Sequence, residues 1–167
     1  MTELLAAVLM DIHYRKQLNE GKSKKDVTVQ IPVNLRKAFP TASLRNFVIC
    51  LTVKISPRKG EYTFGEIVRT VSEQLRAANN KSFLHAYITQ TVKLQTKVLR
   101  FVPLIIKNTA VKVSFAFGAE FSTSALLSNL GPVALPEDMK EYVESYSFFT
   151  GPGLVNGCRC GAASVGD

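Results

Sequence analysis

The segment VTVQIPVNLRKAFPTASLRNFVICLTVKI, Val27–Ile55, contains two apolar, β-branched runs on either side of a basic loop. The first run alternates between apolar and polar residues, the period of a strand with one buried face. The second also alternates, but apolar residues at the intervening positions predict a strand covered on both faces. We therefore predict neighbouring strands at Val27–Val33 and Phe47–Ile55. The first should leave the sheet near Asn34, because Pro32 supplies no backbone donor.

Three helices are expected around this pair. Thr2 is a candidate cap for a helix ending near Asn19, with a buried face formed by Leu5, Val8, Leu9 and Ile12. Thr63 and Glu66 have the spacing of a capping box, in which each side chain satisfies a backbone donor at a helix start. That helix should end at Asn79-Asn80. A third, capped by Ser82, should run to a break near Pro103 and bury a face formed by Phe83, Tyr87, Leu94 and Val98.

The second half of the chain predicts short strands and turns. A buried strand should follow Phe121 and end in a turn at 129–132, and Pro136 should stand at the first position of a short helix. Strands are expected at Tyr142–Thr150 and Cys158–Ala163. The run Leu104–Gly118 fits either a strand or a helix, and periodicity alone does not decide between them.

Composition and charge indicate one globular domain with a basic part. The chain has 167 residues, of which 46% are hydrophobic, enough for a sizeable core. Residues 1–112 hold 19 Lys and Arg against 7 Asp and Glu, whereas residues 113–167 hold 2 against 6. A basic face suits nucleic acid, an anionic membrane, a phosphate-bearing cofactor or an acidic partner domain, and a merely solvated surface is the alternative.

The three cysteines do not form the pattern of a disulfide scaffold. Cys50 is expected to be a small core residue. Cys158 and Cys160 are expected to point to opposite faces of a strand, which excludes a shared zinc ion, so no metal site is predicted. Acidic and basic residues interrupt each long apolar run, and neither a signal peptide nor a membrane span is indicated. We expect a soluble, cytoplasmic protein.

The central segment and the motifs downstream carry a family resemblance. PVNLR (Pro32–Arg36) followed by RNF (Arg45–Phe47) resembles the start of the C-terminal half of the chloramphenicol-acetyltransferase-like acyltransferases, especially bacterial alcohol acetyltransferase-like members. SNLG (Ser128–Gly131) resembles a strand-end motif of the same superfamily. SYSFFTGP (Ser145–Pro152) occupies the place of its DFGWG motif, but lacks that motif's Asp and Trp.

This resemblance implies an α/β (α+β) two-layer sandwich with a mixed sheet of about five strands backed by helices. The whole of residues 1–167 would be a single domain equivalent to the C-terminal half of the fold, with the final strand missing. The resemblance also favours a helix at Leu104–Gly118.

It further implies roles for particular residues. Arg36 matches an arginine that pairs with the Asp of the catalytic HHxxxD motif, and Ser128 matches a hydroxyl near the developing oxyanion. A surface arginine at a strand end and a turn-forming serine are the respective alternatives. Asn34, Asn46 and Asn129 are candidates for substrate contacts, although Asn34 and Asn46 also suit capping of the central loop.

The chain lacks HHxxxD itself, since neither His13 nor His85 is followed by Asp at the required position. The resemblance therefore predicts supporting groups for transfer from acetyl-CoA or another acyl-CoA to a small alcohol, with no tightly bound cofactor. The catalytic half would come from another chain, or the protein would associate with itself. The alternative is a basic module that binds nucleic acid or an acidic protein, but the basic residues lack the interleaved aromatic residues that nucleic acid would require.

Overall fold

A computed structural model describes residues 1–21, 25–97, 102–114, 123–133, 135–145, 147–151 and 158–165. Helices and strands follow one another in a mixed order along the chain. In sequence they are α1 (Thr2–Asn19), β1 (Val27–Asn34), β2 (Val48–Ile55), α2 (Phe64–Ala78), α3 (Lys81–Lys97), α4 (Leu104–Ser114), β3 (Ala125–Val133), α5 (Glu137–Lys140) and β4 (Arg159–Val165). Short 3-10 turns follow β1 and β2, at Leu35–Lys37 and Pro57–Lys59.

The four strands of the described residues form one mixed sheet in the order β2-β1-β3-β4. β1 pairs antiparallel with β2, with Val29 opposite Val53, and parallel with β3, with Val29 opposite Ala125. β3 in turn pairs parallel with β4. The predicted adjacency of the two central runs is confirmed, as is the mixed α/β class.

The described part of the sheet has four strands, against the prediction of about five for the whole chain. The predicted strand at Tyr142–Thr150 is wrong for the residues described there, which pair with no strand. This segment instead contacts β4 through side chains. The Phe148 ring lies over Gly161, where an added Cβ would come within 2.8 Å of it, and the Thr150 hydroxyl donates to the Arg159 carbonyl at 3.4 Å.

The main core lies between one face of the sheet and helices α1 and α2. Its sheet side includes Val27, Val29, Leu51 and Val53, all at most 5% exposed. The prediction that β2 is covered on both faces is wrong. Its outward residues, among them Val48 and Cys50, are exposed, because β2 is an edge strand of the described sheet and the helices cover only its other face.

Helix α1 has the predicted bounds, and its predicted face is correct in part, because Leu5 and Leu9 are half-buried and pack against the core. Its buried residues are Ala6, Ala7, Met10 and Tyr14, whereas Val8 and Ile12 are 38% and 55% exposed. Two adjacent alanines, Ala6 and Ala7, let the helix backbone pack closely against β1, β3 and α2. The hydrophobicity of the side chains alone does not predict this close packing. Nor does Thr2 cap the helix: Met1 stands at the N-cap position, without a side-chain hydrogen bond.

The capping box of α2 is confirmed. The backbone N–H of Thr63 donates to the Glu66 carboxylate at 2.8 Å, and the Thr63 hydroxyl accepts from the Glu66 N–H at 3.4 Å. These contacts with Thr63 also lower the pKa of Glu66. The helix ends at Asn79 as predicted.

Helix α3 begins near the predicted position, with the Asn80 side chain accepting from the Ser82 N–H. The prediction that Phe83 and Tyr87 are buried is wrong, because Leu84, on another face of the helix, enters the core instead. The predicted burial of the Leu94 and Val98 side chains lies outside the described part of the structure. A helix at α4 is confirmed as far as Ser114, and the remainder of the predicted helix, 115–118, lies outside the described residues.

β3 does not end in the predicted turn at 129–132. Its pairing with β4 is instead interrupted by a bulge between Asn129 and Pro132 and then resumes at Pro132, opposite Ser164. Gly131 has a φ of 73°, which a residue with a side chain adopts only with strain. Further on, the short helix α5 is confirmed, with Pro136 at the N-cap position rather than the first helical one. Within the described residues, no helix combines the length and hydropathy needed to cross a bilayer.

Candidate functional site

A groove of about 530 Å³ opens where β1 leaves the sheet. It lies between the sheet and the helix layer, beside the first residues of α1 and the last turn of α2. Crevices at the carboxyl ends of parallel strands are common ligand sites in open α/β sheets, because the strand ends and adjoining loops present polar groups there. Its lining residues are Thr2, Glu3, Ile31, Pro32, Val33, Asn34, Lys37, Val48, Leu51, Leu75, Arg76, Asn79, Ser128, Asn129 and Leu130.

Three of the five predicted site residues meet in this groove although they come from different parts of the chain. Asn34 is the last residue of β1, and Ser128 and Asn129 lie in β3. The strand order places β1 next to β3, which brings these positions to one side of the molecule. Ser128 is half-buried and lies opposite Gly161 of β4, where the neighbouring residue has no side chain.

Asn129 fixes one wall of the groove. Its Nδ2 donates to the Thr2 hydroxyl at 2.9 Å, and its Oδ1 accepts from the Gly131 N–H at 2.9 Å. The same side chain therefore holds the β3 bulge in shape and ties it to the start of α1. Both the nitrogen and the oxygen of the Asn129 amide are therefore hydrogen-bonded within the protein, and the residue stabilises the groove wall.

Asn34 serves the backbone, as the capping alternative for this residue predicts. Its Oδ1 accepts from the Arg36 N–H at 3.0 Å and thereby starts the 3-10 turn after β1. Asn46, by contrast, is exposed in the loop before β2 and does not line the groove.

Arg36 lies outside the groove lining and holds the central loop together. Its Nη2 donates to the backbone carbonyls of Ser43, at 2.8 Å, and of Arg45. None of the salt bridges among the described residues involves Arg36. Its guanidinium thus stabilises the path of the loop, and its pairing with a carboxylate from another half remains a prediction.

Two cationic residues in the groove lining were not predicted. Lys37 follows Arg36 in the 3-10 turn, and Arg76 lies in the last turn of α2, where a cation is favourable at the negative end of the helix dipole. Both side chains are exposed. The helix pattern indicates that Arg76 faces away from the apolar stripe, but only the tertiary arrangement of α2 over β1 brings it to the groove.

The floor of the groove is apolar, and the acidic residue of its lining, Glu3, is hydrogen-bonded within the protein. Ile31, Leu51 and Leu75 are buried residues that reach the lining from three elements. Glu3, the acidic residue of the lining, accepts a hydrogen bond from the Ser72 hydroxyl of α2. An apolar floor with hydroxyl and amide groups on one wall and two exposed cations in the lining suits a ligand that has both an apolar part and an anionic end.

Neither histidine lies in the groove lining. His13 is half-buried on α1, where burial and then the charge of Lys16 lower its pKa. His85 is exposed on α3, with its ring 6.4 Å from that of Phe39 between centroids. The described lining therefore holds polar and cationic groups but no imidazole to act as a general base.

The cysteines differ from expectation. Cys50 is exposed on the outer face of β2 rather than buried in the core. Cys158 and Cys160 do not point to opposite faces, because side chains two residues apart in an extended segment point the same way; both pack against the core, and their thiols are neighbours. Burial, followed by this neighbour, raises the pKa of Cys158. The described residues contain no cluster of three or more potential metal ligands.

Comparisons with known proteins give one structural likeness. No protein-family model and no curated protein matches this sequence. Among solved structures, the crystal structure of vinorine synthase is similar over 77% of this chain, with a TM-score of 0.41 and 11% sequence identity. The matched part spans 25% of that protein, so the present chain corresponds to about a quarter of its length.

Proposed function

We propose that this chain is the C-terminal, supporting half of an acyl-CoA-dependent O-acyltransferase of the alcohol acetyltransferase-like type. The observation that carries the proposal is the convergence of Asn34, Ser128 and Asn129 on one groove. These residues belong to the two motifs, PVNLR and SNLG, whose resemblance to the acyltransferases suggested the function in the first place. Motifs that are distant in sequence meet at one cavity.

The groove has the chemistry that such a role requires. Its apolar floor suits an acyl or pantetheine chain, and Lys37 and Arg76 in its lining offer positive charge to phosphate groups. Ser128 is half-buried and lines this cavity, which supports a role for its hydroxyl as a donor to the developing oxyanion. Deprotonation of the alcohol would fall to the HHxxxD histidine of a catalytic half, supplied by another polypeptide or by sequence beyond these residues.

Two consequences follow for the chain by itself. It should bind an acyl-CoA weakly, because one wall of a tunnel removes only part of the ligand from water. It should also show no acetyl-CoA:alcohol transferase activity above background, because the motif that supplies the base is not in its sequence. Turnover that persists after His13→Ala and His85→Ala together would reveal another catalytic group.

Calorimetric titration of the full chain with acetyl-CoA tests the groove. We expect Arg76→Glu to weaken binding on the order of 5-fold, as for loss of an exposed ion pair. Lys59→Glu makes the same charge change at an exposed position outside the groove and should leave the affinity unchanged. Ser128→Phe should fill the cavity and abolish binding. An absence of binding at millimolar acetyl-CoA, or equal effects of both charge reversals, would contradict the proposal.

A further inference from the structure

The segment that holds α3 and α4 is basic without any compensating acid. No Asp or Glu occurs between Lys81 and Ala119. Over the same stretch the chain carries six basic residues, Lys81, Lys93, Lys97, Arg100, Lys107 and Lys112. Surface helices of soluble proteins usually mix both signs of charge, because opposite charges four residues apart stabilise the helix.

The same helices expose large apolar side chains. On α4, Leu104, Ile105 and Ile106 are 68%, 82% and 59% exposed, and Val113 is 52% exposed. On α3, Phe83 and Tyr87 lie one turn apart and are 49% and 45% exposed. Contiguous exposed apolar residues of this size commonly mark an interaction surface.

Helix α4 contributes nothing to the described core. The buried core and the partly buried residues packed against it include none of the described residues 102–114. The exposed apolar side chains of α4 therefore do not pack against the sheet. They are available to contact a membrane or another molecule. We call α3 and α4 together the basic helical segment.

We propose that the basic helical segment binds the surface of an anionic lipid membrane. Helices that lie in a membrane interface combine lysines with exposed aliphatic and aromatic side chains, because the chains enter the acyl boundary while the ammonium groups meet the headgroups. Both classes of side chain are present here on two helices that are consecutive in the chain. This lipid surface is distinct from the groove and does not depend on the acyltransferase proposal.

Charge complementarity favours lipid over the other occupants. A second copy would bring the five positive charges of its own α3 and α4 against the first, without any acid in the segment to meet them. Nucleic acid would pair with the lysines but leave the exposed aliphatic residues, Leu104–Ile106, in water, since it is read by hydrogen bonds and aromatic stacking. An anionic bilayer interface satisfies both the positive charge and the apolar area.

Flotation of the full chain with lipid vesicles tests the proposal. The vesicles contain phosphatidylcholine alone or with about 30% phosphatidylserine, at an ionic strength of about 0.1 M. We expect binding to the anionic vesicles only, and a loss of binding as salt rises. Lys107→Gln with Lys112→Gln should weaken it about 5-fold for each lysine removed, and Ile105→Ser with Ile106→Ser should weaken it further than the charge variant.

Matched control variants outside the basic helical segment distinguish binding by this segment from non-specific binding of the protein to vesicles. Arg45→Gln with Lys59→Gln removes two exposed charges, and Leu44→Ser removes a side chain that is 100% exposed, all outside the segment. These controls should bind as the original chain does. Because the substituted Ile105 is itself 82% exposed, its variant should keep the circular dichroism spectrum of the folded protein.

Several outcomes would overturn the proposal. Equal binding to neutral and anionic vesicles, no binding to either, or equal loss in the control variants would each show that the segment does not recognise anionic lipid. Binding to a duplex oligonucleotide that needs the lysines but not Ile105 and Ile106, without vesicle binding, would assign the charge to nucleic acid. Capture of an acidic protein in place of vesicles would assign the surface to a protein partner.

Discussion

The Asn129 amide donates a hydrogen bond of 2.9 Å to the Thr2 hydroxyl and so joins strand β3 to the first residue of α1. Both residues line the groove, and both are half-buried. Because the other side-chain atom of Asn129 accepts from Gly131, one residue sets both the strand bulge and its distance from the helix. The groove wall thus depends on a contact between residues that are 127 positions apart in the sequence.

Removing this contact should lower stability. We expect Asn129→Ala to reduce the free energy of unfolding by about 1–2 kcal/mol, because it leaves the Gly131 N–H and the Thr2 hydroxyl without their partner. Urea denaturation would measure the change. A double-mutant cycle with Thr2→Val should give a coupling of about 0.5–1 kcal/mol. Asn46→Ala is the control, since Asn46 is exposed, and an equal loss there would contradict the assignment.

Local patterns predicted the parts of the fold that depend on neighbours in sequence. Alternation in Val27–Ile55 was sufficient for β1 and β2, because the register of an antiparallel pair follows from which face is buried. The Thr63–Glu66 spacing was sufficient for the start of α2, since both hydrogen bonds close within one turn. By contrast, Ser128 and Asn129 of β3 are candidate site residues because the SNLG motif resembles the acyltransferases, and no hydrophobic or capping pattern identifies them.

The predictions that were wrong concern features that depend on the tertiary arrangement. Cys50 and Val48 look like core residues by composition, but an edge strand with helices on one side leaves them exposed. On α1 the pattern identifies Leu5 and Leu9 but not the buried Ala6 and Ala7, because alanine contributes little hydrophobicity while allowing close approach of the helix backbone. Likewise, Asn129 and Thr2 are each unremarkable polar residues, and only the fold places one beside the other.

Substitutions on two faces of α1 test which face is buried. Met10 is completely buried, so Met10→Ala should cost about 2–5 kcal/mol through lost contacts and a residual cavity. Ile12 is 55% exposed, and Ile12→Ala should cost about 0.5 kcal/mol or less. Thermal or urea unfolding of both variants gives the comparison. A larger loss of unfolding free energy for Ile12→Ala than for Met10→Ala would show that the side of α1 carrying Ile12 is buried, as the sequence pattern predicts.

The capping box should be measurable as a helix-start effect. Thr63→Ala removes the hydroxyl that accepts from the Glu66 N–H, and we expect a loss of about 1 kcal/mol in the free energy of unfolding. Thr63→Ser keeps the hydroxyl and should retain most of the stability, which separates the cap from the bulk of the side chain. If serine and alanine destabilise equally, the hydrogen bond is not what stabilises the helix start.

Stability should also depend on pH through His13. Burial lowers its pKa in the folded chain, and the positive charge of Lys16 adds to the effect. The unfolded chain therefore binds a proton more readily, and protonation favours unfolding. We expect stability to be fully present above about pH 6.5, the ordinary pKa of histidine, and to fall as the pH drops through that value toward the lowered folded pKa.

The size of this effect is limited because His13 is only half-buried and solvent screens its charge. We expect a loss below about 1 kcal/mol between pH 7.5 and pH 5.5, about the two units that bracket the unfolded pKa. Urea denaturation at a series of pH values measures it. His13→Gln should flatten the slope in this window, whereas His85→Gln leaves His13 in place and should retain it. A slope that survives in His13→Gln would assign the proton uptake to another group.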